Sequence, residues 1–288
     1  MKLHVKRGNS SLFLLHMTCD SMVKDALDAI CRIFRMILKV ERLCRGLEDL
    51  SEHGIAFPPD MVGLTAQQIE ELRLIDKWTP ICVPSGGCEL RADPIGKRNG
   101  HAPNEKMREV LKKAITDARH IVSPRQVEAG IVMTEKMAES ALDIIRGAVM
   151  IVYPMGLPPH DLIQLELDSK EELQGPVAQD VIERTEGELW FSGKKLPEDQ
   201  PLKAFLGTNE KTTAVVKVGK KGHGAPSREP VMSVEEQKQL MMHQFQKQEE
   251  LKRLEADEDD NYLDSKWADG SSLKREYLGL SNITWKPH

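Results

Sequence analysis

The stretch of sequence that decides the fold lies between residues 189 and 218. Residues 189–207 read LWFSGKKLPEDQPLKAFLG, and residues 211–218 read KTTAVVKV. Short apolar and β-branched runs separated by Gly and Pro predict a strand, a Gly-Lys turn, a polar loop, a short apolar turn and a final strand. With the helical periodicities found elsewhere in the chain, the predicted fold class is α+β.

This order of elements resembles the second half of ubiquitin. With the segments before it, the stretch predicts an internal ubiquitin-like β-grasp domain in residues 148–220, in the order β-β-α-β-β. Its helix would begin at Pro176 and end at Gly187. The apolar residues at 163, 165 and 167 alternate with polar ones, which is typical of a strand with one wet face. The predicted strands occupy residues 149–153, 163–167, 189–191 and 213–218.

The N-terminal region has a related pattern. Two apolar runs, 3–6 and 12–17, flank the turn residues 8–11 and favour a β-hairpin. Apolar side chains then recur at spacings of three and four, which predicts a helix whose signals continue to Gly54. They are Val23, Leu27, Ile30, Phe34 and Ile37. Because a hairpin followed by a helix also opens the β-grasp fold, this region is a candidate for a second, degraded ubiquitin-like unit.

The chain divides into four predicted parts. These are an N-terminal α+β region (1–95), a helical segment (104–147), the ubiquitin-like domain (148–220), and a linker, long helix and extended tail (221–288). In the helical segment, residues 104–122 and 134–146 each carry an apolar face, and Gly147 is placed to end the second helix. Ser233 and Glu236 form a capping box that opens the long helix, which ends near Glu255.

Composition narrows the classes of partner. The 288 residues include 40 Lys and Arg against 45 Asp and Glu, a formal net charge of −5, which gives no general attraction to nucleic acid or an anionic membrane. No apolar run approaches the roughly 20 residues of a membrane helix, and the N-terminus turns polar too early for a signal peptide. Five cysteines, an odd number, predict reduced thiols. We expect neither nucleic acid nor a membrane as a partner.

The motifs of common enzyme classes are missing from the sequence. Residues 84–87 lack the Gly-Lys-Ser/Thr ending of a phosphate-binding loop, and neither a Gly-x-Ser-x-Gly elbow nor a His-Glu-x-x-His helix occurs. Cys82 and Cys88 are spaced more widely than the ligands of a zinc knuckle, and no second pair follows. We therefore expect no catalytic residues, no cofactor and no metal site, and we predict that the protein is not an enzyme.

The candidate binding residues are aromatic. The resemblance to ubiquitin places Leu189 in the core and Trp190 on the outward face of the sheet, with Lys194 in the following turn. Ubiquitin-like folds bind partners through that face, and an exposed Trp is a typical hot-spot residue. The alternative is that the protein's own tail or helices cover Trp190. Isolated aromatics in the polar tail could also dock onto a surface: Trp267, Tyr277 and Trp285.

Several blocks along the chain point to one family. They read HVKR (4–7), EHG (52–54), CVPSGG (82–87), APNEKM (102–107), QVEAG (126–130), RGAVMIVYPMGLPP (146–159), EEQKQL (235–240), QEELKRL (248–254) and WAD (267–269). Together they resemble the Kurly family of cilia- and flagella-associated proteins almost from end to end. The resemblance is weaker over 17–50 and 160–187.

The resemblance implies a non-catalytic interaction or scaffold protein of motile cilia. It would act in assembly of the axonemal outer dynein arms and be located in the cytoplasm, at the ciliary base and in the axoneme. Its partners would be dynein-arm assembly factors, or axonemal dynein and docking proteins. One alternative is a stably bound axonemal component that contacts doublet microtubules or docking proteins, with tubulin as a further partner. Another is an adaptor for ubiquitin-pathway receptors.

Overall fold

One five-stranded sheet joins the N-terminal hairpin to the stretch that begins at residue 187. The computed structural model describes residues 1–168, 180–222, 224–226 and 234–256. Its strands are β1 (Lys2–Arg7), β2 (Ser10–His16), β3 (Cys88–Leu90), β4 (His101–Pro103), β5 (Gly187–Phe191), β6 (Lys194–Lys195) and β7 (Thr213–Lys220). β3 and β4 form a separate two-stranded ribbon, and the other five strands form the sheet in the order β2-β1-β7-β5-β6.

The first and last strands of the sheet lie side by side. β1 runs antiparallel to β2 and parallel to β7, with Leu3 opposite Ala214 and Val5 opposite Val216. β5 is antiparallel to both β7 and β6. The sheet therefore begins with the β1–β2 hairpin, and it closes with β7 parallel to β1.

Helices make up most of the remaining described chain, so the predicted α+β class is confirmed. They are α1 (Val23–His53), α2 (Ala66–Glu71), α3 (Glu105–Val122), α4 (Arg125–Glu128), α5 (Glu135–Val152), α6 (Leu162–Leu167), α7 (Lys203–Leu206) and α8 (Val234–Ala256). The chain divides into two units, 1–228 and 229–288, and α8 belongs to the second. Taken by itself, α8 exposes every side chain described in it, including Met241 and Phe245.

The prediction of a contiguous β-grasp domain in residues 148–220 is wrong in its first half. Residues 149–152 form the last turn of α5, and residues 162–167 form α6, so neither supplies a strand. Strands predicted at 189–191 and 213–218 are confirmed as β5 and β7, and the N-terminal hairpin is confirmed as β1 and β2. The N-terminal region is therefore not a second unit, because its hairpin completes the same sheet. Residues 176–179 of the predicted 176–187 helix lie outside the described residues. The rest of that prediction is wrong, because residues 181–186 form an irregular segment and a turn, and Gly187 begins β5.

The strand prediction at 149–153 was wrong because a short apolar run fits both the helical and the strand periodicity. Val149-Met-Ile-Val152 is rich in β-branched residues, and Gly147 suggested a helix end before it. In the structure Gly147 lies inside α5, and the side chains of Val149 and Val152 are buried while those of Met150 and Ile151 are exposed. That spacing of three is helical, and periodicity alone cannot separate a short buried helix from a strand.

Helix α1 is the centre of the core. Its 14 buried residues include Leu27, Ile30, Phe34, Leu43 and Leu47. They join one hydrophobic cluster with the inward side chains of the sheet and the apolar faces of α3 and α5. Burial at this scale contributes roughly 25 cal/mol per Å² of apolar surface, so this shared helix carries much of the driving force for folding.

Segments distant in sequence satisfy both ends of α1. Its N-cap residue, Met22, makes no side-chain capping bond, and the first backbone N–H groups donate elsewhere. Val23 N donates to Gln200 O at 3.0 Å, and Lys24 N donates to Glu198 O at 3.2 Å. At the other end, Gly100 N donates to His53 O at 2.9 Å. Because helix ends leave such groups unpaired, these bonds fix the two remote segments against α1.

A buried ion pair completes the C-terminal end of α1. Arg98 Nη1 donates to Gly54 O at 2.6 Å and lies 3.6 Å from Asp161 Oδ2. Asp161 is 0% exposed, and its carboxylate also accepts from Ala56 N at 3.1 Å and from Ile163 N at 2.9 Å. The side chain therefore caps α6 and holds it beside the end of α1.

We expect Asp161→Ala to lower the free energy of unfolding by about 3–5 kcal/mol, because it leaves the buried Arg98 charge without its carboxylate. Asp143 provides the control, since its pair with Arg146 is exposed to solvent. Asp143→Ala should change stability by less than about 0.5 kcal/mol. Urea unfolding of both variants measures the difference, and equal losses would show that the buried pair is not an anchor.

Two glycines with a positive φ differ in the space around the position that a Cβ would occupy. Gly54 has φ 78° and Gly63 has φ 79°. A Cβ on Gly54 would lie 2.3 Å from His101 O, whereas one on Gly63 would meet nothing within 4 Å. We expect Gly63→Ala to cost about 1–2 kcal/mol from strain. Gly54→Ala should cost about 2–3 kcal/mol more, from the clash with His101 O and from a ψ of −158°, which only glycine adopts readily. Similar unfolding midpoints for the two variants would contradict this account.

Candidate interaction surface

The outer face of the sheet is the face turned away from α1. The alternate residues Leu3, Val5, Leu189, Val216 and Val218 are buried in the core that contains α1. Because side chains alternate across a strand, the residues between them point outward. The outward positions near the centre of the sheet carry Lys2, His4, Lys6, Glu188, Trp190, Lys195, Val215 and Lys217.

Four of these outward residues form a line across the sheet, here called the Lys–Trp row. Lys6 on β1 is opposite Lys217 on β7, Lys217 is opposite Trp190 on β5, and Trp190 is opposite Lys195 on β6. Residues directly opposite on neighbouring strands have Cβ atoms about 4.5–5.5 Å apart. The row thus places a large aromatic side chain between lysines.

Most of the charged side chains at the outward positions named above are lysines. Glu188 carries the single carboxylate among the outward positions named above, and it accepts from Lys195 Nζ at 2.5 Å. The Lys217 residue is only 7% exposed, while the side chain of Lys195 is 52% exposed. Like charges opposite one another lower the stability of a sheet, so the Lys6–Lys217 pairing does not favour folding by itself.

The β2 edge of the sheet is partly covered by the chain that follows α4. Met133 N donates to Leu14 O at 2.7 Å, and Leu14 forms a parallel bridge with Val132. Lys2 Nζ also donates to Gly130 O at 3.3 Å. These contacts protect an edge strand from pairing with another chain. They border the outer face on the β2 side, away from Trp190.

The structure brings together some of the predicted site residues. Trp190 lies on the outer face as predicted and is half-buried, and Lys194 is exposed at the start of β6, one residue before the row. Trp267, Tyr277 and Trp285 lie outside the described residues. Binding of a partner by Trp190 stays a prediction. Its alternative, that the protein's own tail or helices cover Trp190, stays open as well.

Sequence reasoning missed the lysines that flank Trp190. Lys2, His4 and Lys6 alternate with buried residues along β1, a signal that was available in the sequence. Their meeting with Lys217 and Trp190 was not, because it requires the parallel pairing of β1 with β7.

A second exposed feature was missed because residues 149–153 were predicted to form a strand. Met150, Ile151 and Met155 are 64%, 58% and 71% exposed. They lie at the end of α5 and in the turn after it, within the block 146–159. Exposed apolar side chains this near one another in sequence are candidates for an interaction surface.

The cysteines lie in two kinds of environment, since four are buried and Cys88 is exposed. Burial raises the pKa of Cys31 to about 11 and that of Cys44 to about 11, so both thiols stay protonated near neutral pH. Cys88 is exposed, and its Sγ lies 3.7 Å from His101 Nδ1 in the β3–β4 ribbon. Over the part of the chain that the structure describes, no group of three or more His, Cys, Asp or Glu side chains could hold a metal ion.

Comparison with known proteins identifies the family. The family described as "Cilia- and flagella-associated protein 298" matches residues 187–283. The protein of that name from Danio rerio is 49% identical over 288 residues, covering 100% of this chain and 99% of the relative. The Homo sapiens protein is 51% identical over 286 residues, covering 99% of each chain. The chain belongs to this family. The family predicted from the sequence blocks is confirmed.

More distant relatives extend the family across animals. The Drosophila melanogaster protein of the same name is 42% identical over 285 residues, which is 99% of this chain and 98% of that protein. These names associate the family with cilia and flagella and do not describe an enzyme. No solved structure matches the chain. Within the described residues, none of the helices combines the length and apolar character that crossing a membrane requires.

Neighbouring residues test the outward position of Trp190. We expect Leu189→Ala to lower the free energy of unfolding by about 2–5 kcal/mol, because Leu189 is buried in the core. Trp190→Ala should cost about 1 kcal/mol or less, since it removes only cross-strand contacts on the outer face. Urea unfolding measures both variants. A larger loss for Trp190→Ala than for Leu189→Ala would show that Trp190 is a core residue.

Proposed function

We propose that this protein is a non-catalytic interaction protein that acts in assembly of the outer dynein arms of motile cilia. The observation that carries the proposal is membership of the family along the whole chain, with 49–51% identity to proteins named for cilia and flagella. Its expected partners are dynein-arm assembly factors, or axonemal dynein and docking proteins. We place it in the cytoplasm and at the ciliary base, with a fraction in the axoneme.

Two features of the described chain support an interaction role. The outer face presents an aromatic side chain among lysines, and the end of α5 exposes Met150 and Ile151. Aromatic and Met side chains are enriched at protein interfaces.

The test removes the protein from ciliated cells and restores it. We expect cilia of depleted cells to beat poorly or not at all, with outer-arm dynein heavy chains reduced at least severalfold in isolated axonemes. The full chain should restore both measurements. Quantitative mass spectrometry and electron cryotomography of axonemes provide the readouts. Normal arm content in motionless cilia would overturn the proposed role in arm assembly.

Fractionation separates this proposal from its alternatives. An assembly protein should be recovered from the cytoplasmic extract, whereas a stable axonemal component should stay in the pellet after salt and detergent extraction. Retention in the pellet at a fixed ratio to tubulin would favour the structural alternative. The adaptor alternative predicts binding to the ubiquitin-interacting helices of receptor proteins, which a pull-down with the full chain measures.

A further inference from the structure

One cysteine differs from the others in its access to solvent. Cys88 on β3 is exposed, whereas Cys19, Cys31, Cys44 and Cys82 are buried. Burial raises the pKa of the Cys82 thiol, as it does for Cys31 and Cys44, and a protonated thiol is a poor nucleophile. Because reagents reach a cysteine through solvent, we expect thiol chemistry on the folded chain to be selective for Cys88.

An imidazole lies beside that exposed thiol. Cys88 Sγ and His101 Nδ1 are 3.7 Å apart, within hydrogen-bonding reach for a sulfur atom. In the β3–β4 ribbon Cys88 is opposite Pro103, and His101 is opposite Leu90. His101 is therefore the diagonal neighbour of Cys88 on the same face of the ribbon, close enough for their side chains to meet. A neutral imidazole whose hydrogen is on Nε2 accepts a proton at Nδ1.

The backbone around His101 is held in place. His101 N donates to Asn99 Oδ1 at 3.0 Å, and Arg91 N donates to Gly100 O at 2.7 Å. The carbonyl of His101 packs against the end of α1, where a Cβ on Gly54 would lie 2.3 Å from His101 O. The ribbon thus holds a base within reach of a nucleophile, which is the arrangement that activates cysteine.

The neighbouring charges are paired with one another on the other face of the ribbon. Glu89 follows Cys88 on β3, so its side chain points away from the thiol. Its carboxylate accepts from Arg108 Nη2 at 2.7 Å and lies 3.6 Å from Arg91 Nε. On the chain just before the thiol, a Cβ on Gly87 would meet nothing within 4 Å. That open space gives a small reagent room to approach Cys88.

We propose that Cys88 and His101 form a thiol–imidazole pair that reacts with a low-mass disulfide, which makes Cys88 a site of reversible S-glutathionylation. The inference goes beyond the proposed function and does not depend on it, because the reaction can be measured on the isolated chain. An exposed thiol without the imidazole would react at the rate of any ordinary cysteine, so the role of His101 is the part to test.

The reaction is a thiol–disulfide exchange. His101 Nδ1 takes the proton of the Cys88 thiol, and the thiolate attacks one sulfur of glutathione disulfide. A bond forms between Cys88 Sγ and that sulfur while the S–S bond of the reagent breaks. The second glutathione leaves as a thiolate and receives the proton from His101. The Cys88 sulfur is oxidised to the disulfide level and the leaving sulfur is reduced, so the exchange needs no other oxidant.

Thiolate chemistry sets the size of the expected effect. An ordinary cysteine is only a few per cent thiolate near neutral pH, so complete proton transfer would raise the rate at most about thirtyfold. Thiolates of lower basicity are weaker nucleophiles, which removes part of that gain. We therefore expect Cys88 to react about three- to tenfold faster than a cysteine without an imidazole beside it.

The test follows the reaction of the folded full chain with glutathione disulfide near pH 7. Peptide mapping by mass spectrometry measures the modified fraction of each cysteine with time. We expect one glutathione on Cys88, with the buried cysteines at least about tenfold slower, and dithiothreitol should remove it. His101→Gln should slow the reaction of Cys88 by about three- to tenfold, because an amide does not take the thiol proton. Equal rates for wild type and His101→Gln would overturn the proposal.

Two matched controls separate the imidazole from its surroundings. Leu90 is 82% exposed and lies opposite His101, so Leu90→Ala changes the same face of the ribbon and keeps the imidazole. Its rate should stay within about twofold of wild type. A synthetic peptide of residues 84–92 contains Cys88 without His101 and should react as slowly as the His101→Gln chain. A peptide that reacts as fast as the folded chain would also overturn the proposal.

A measurement at high pH distinguishes a proton acceptor from a structural support. At about pH 10 an ordinary cysteine is thiolate without help from a base, so the rates of wild type and His101→Gln should agree within about twofold. A difference that persists at this pH would show that the substitution limits access to the thiol, and it would overturn the role of His101. Urea unfolding confirms that each variant is folded.

Discussion

The satisfied ends of α1 are the constraint on which the structure depends. A helix leaves backbone N–H groups unpaired at its start and carbonyl groups unpaired at its end. Here the loop that follows β6 supplies acceptors for Val23 and Lys24, and residues 98–100 supply donors for His53 and Gly54. Because the bonds come from segments far away in sequence, they hold the loop after β6 at one end of α1 and residues 98–100 at the other.

The same helix decides which surface of the sheet is available. Its apolar side chains cover the inner face and draw Leu189 and Val216 into the core. The alternation of the strands then turns Trp190 and Lys217 outward. Lys217 and Lys195 lie beside Trp190 because β5 pairs with β7 and with β6, and the pairing of β1 with β7 adds Lys6 beside Lys217.

The inserted helices add a separate requirement. The residues between α1 and β5 must leave the sheet and return to it without disturbing the pairing of its strands. The buried pair of Arg98 and Asp161 ties the start of α6 to the end of α1, where it is shielded from water. The helical layer exposes the apolar side chains of Met150 and Ile151, whereas the outer face of the sheet carries Trp190 and lysines. The protein therefore has two chemically different surfaces.

Local sequence patterns determined the individual elements near both ends of the first unit. The hairpin, the stop at Gly54, the helix at 105–122 and the strands at 189–191 and 213–218 follow from periodicity and turn residues, and each agrees with the structure. The outward position of Trp190 follows from the same alternation. Membership of the family was also predicted from the sequence blocks alone.

Tertiary structure decided how those elements combine. Periodicity reports which face of a strand is buried, but it does not report which strand lies alongside, so the hairpin could not be assigned to β5 and β7. Residues 149–152 are too few to distinguish a helix from a strand, and packing of α5 against α1 and α3 selected the helix. The Arg98–Asp161 pair and the Lys–Trp row exist only after folding, because each joins side chains that the chain keeps far apart.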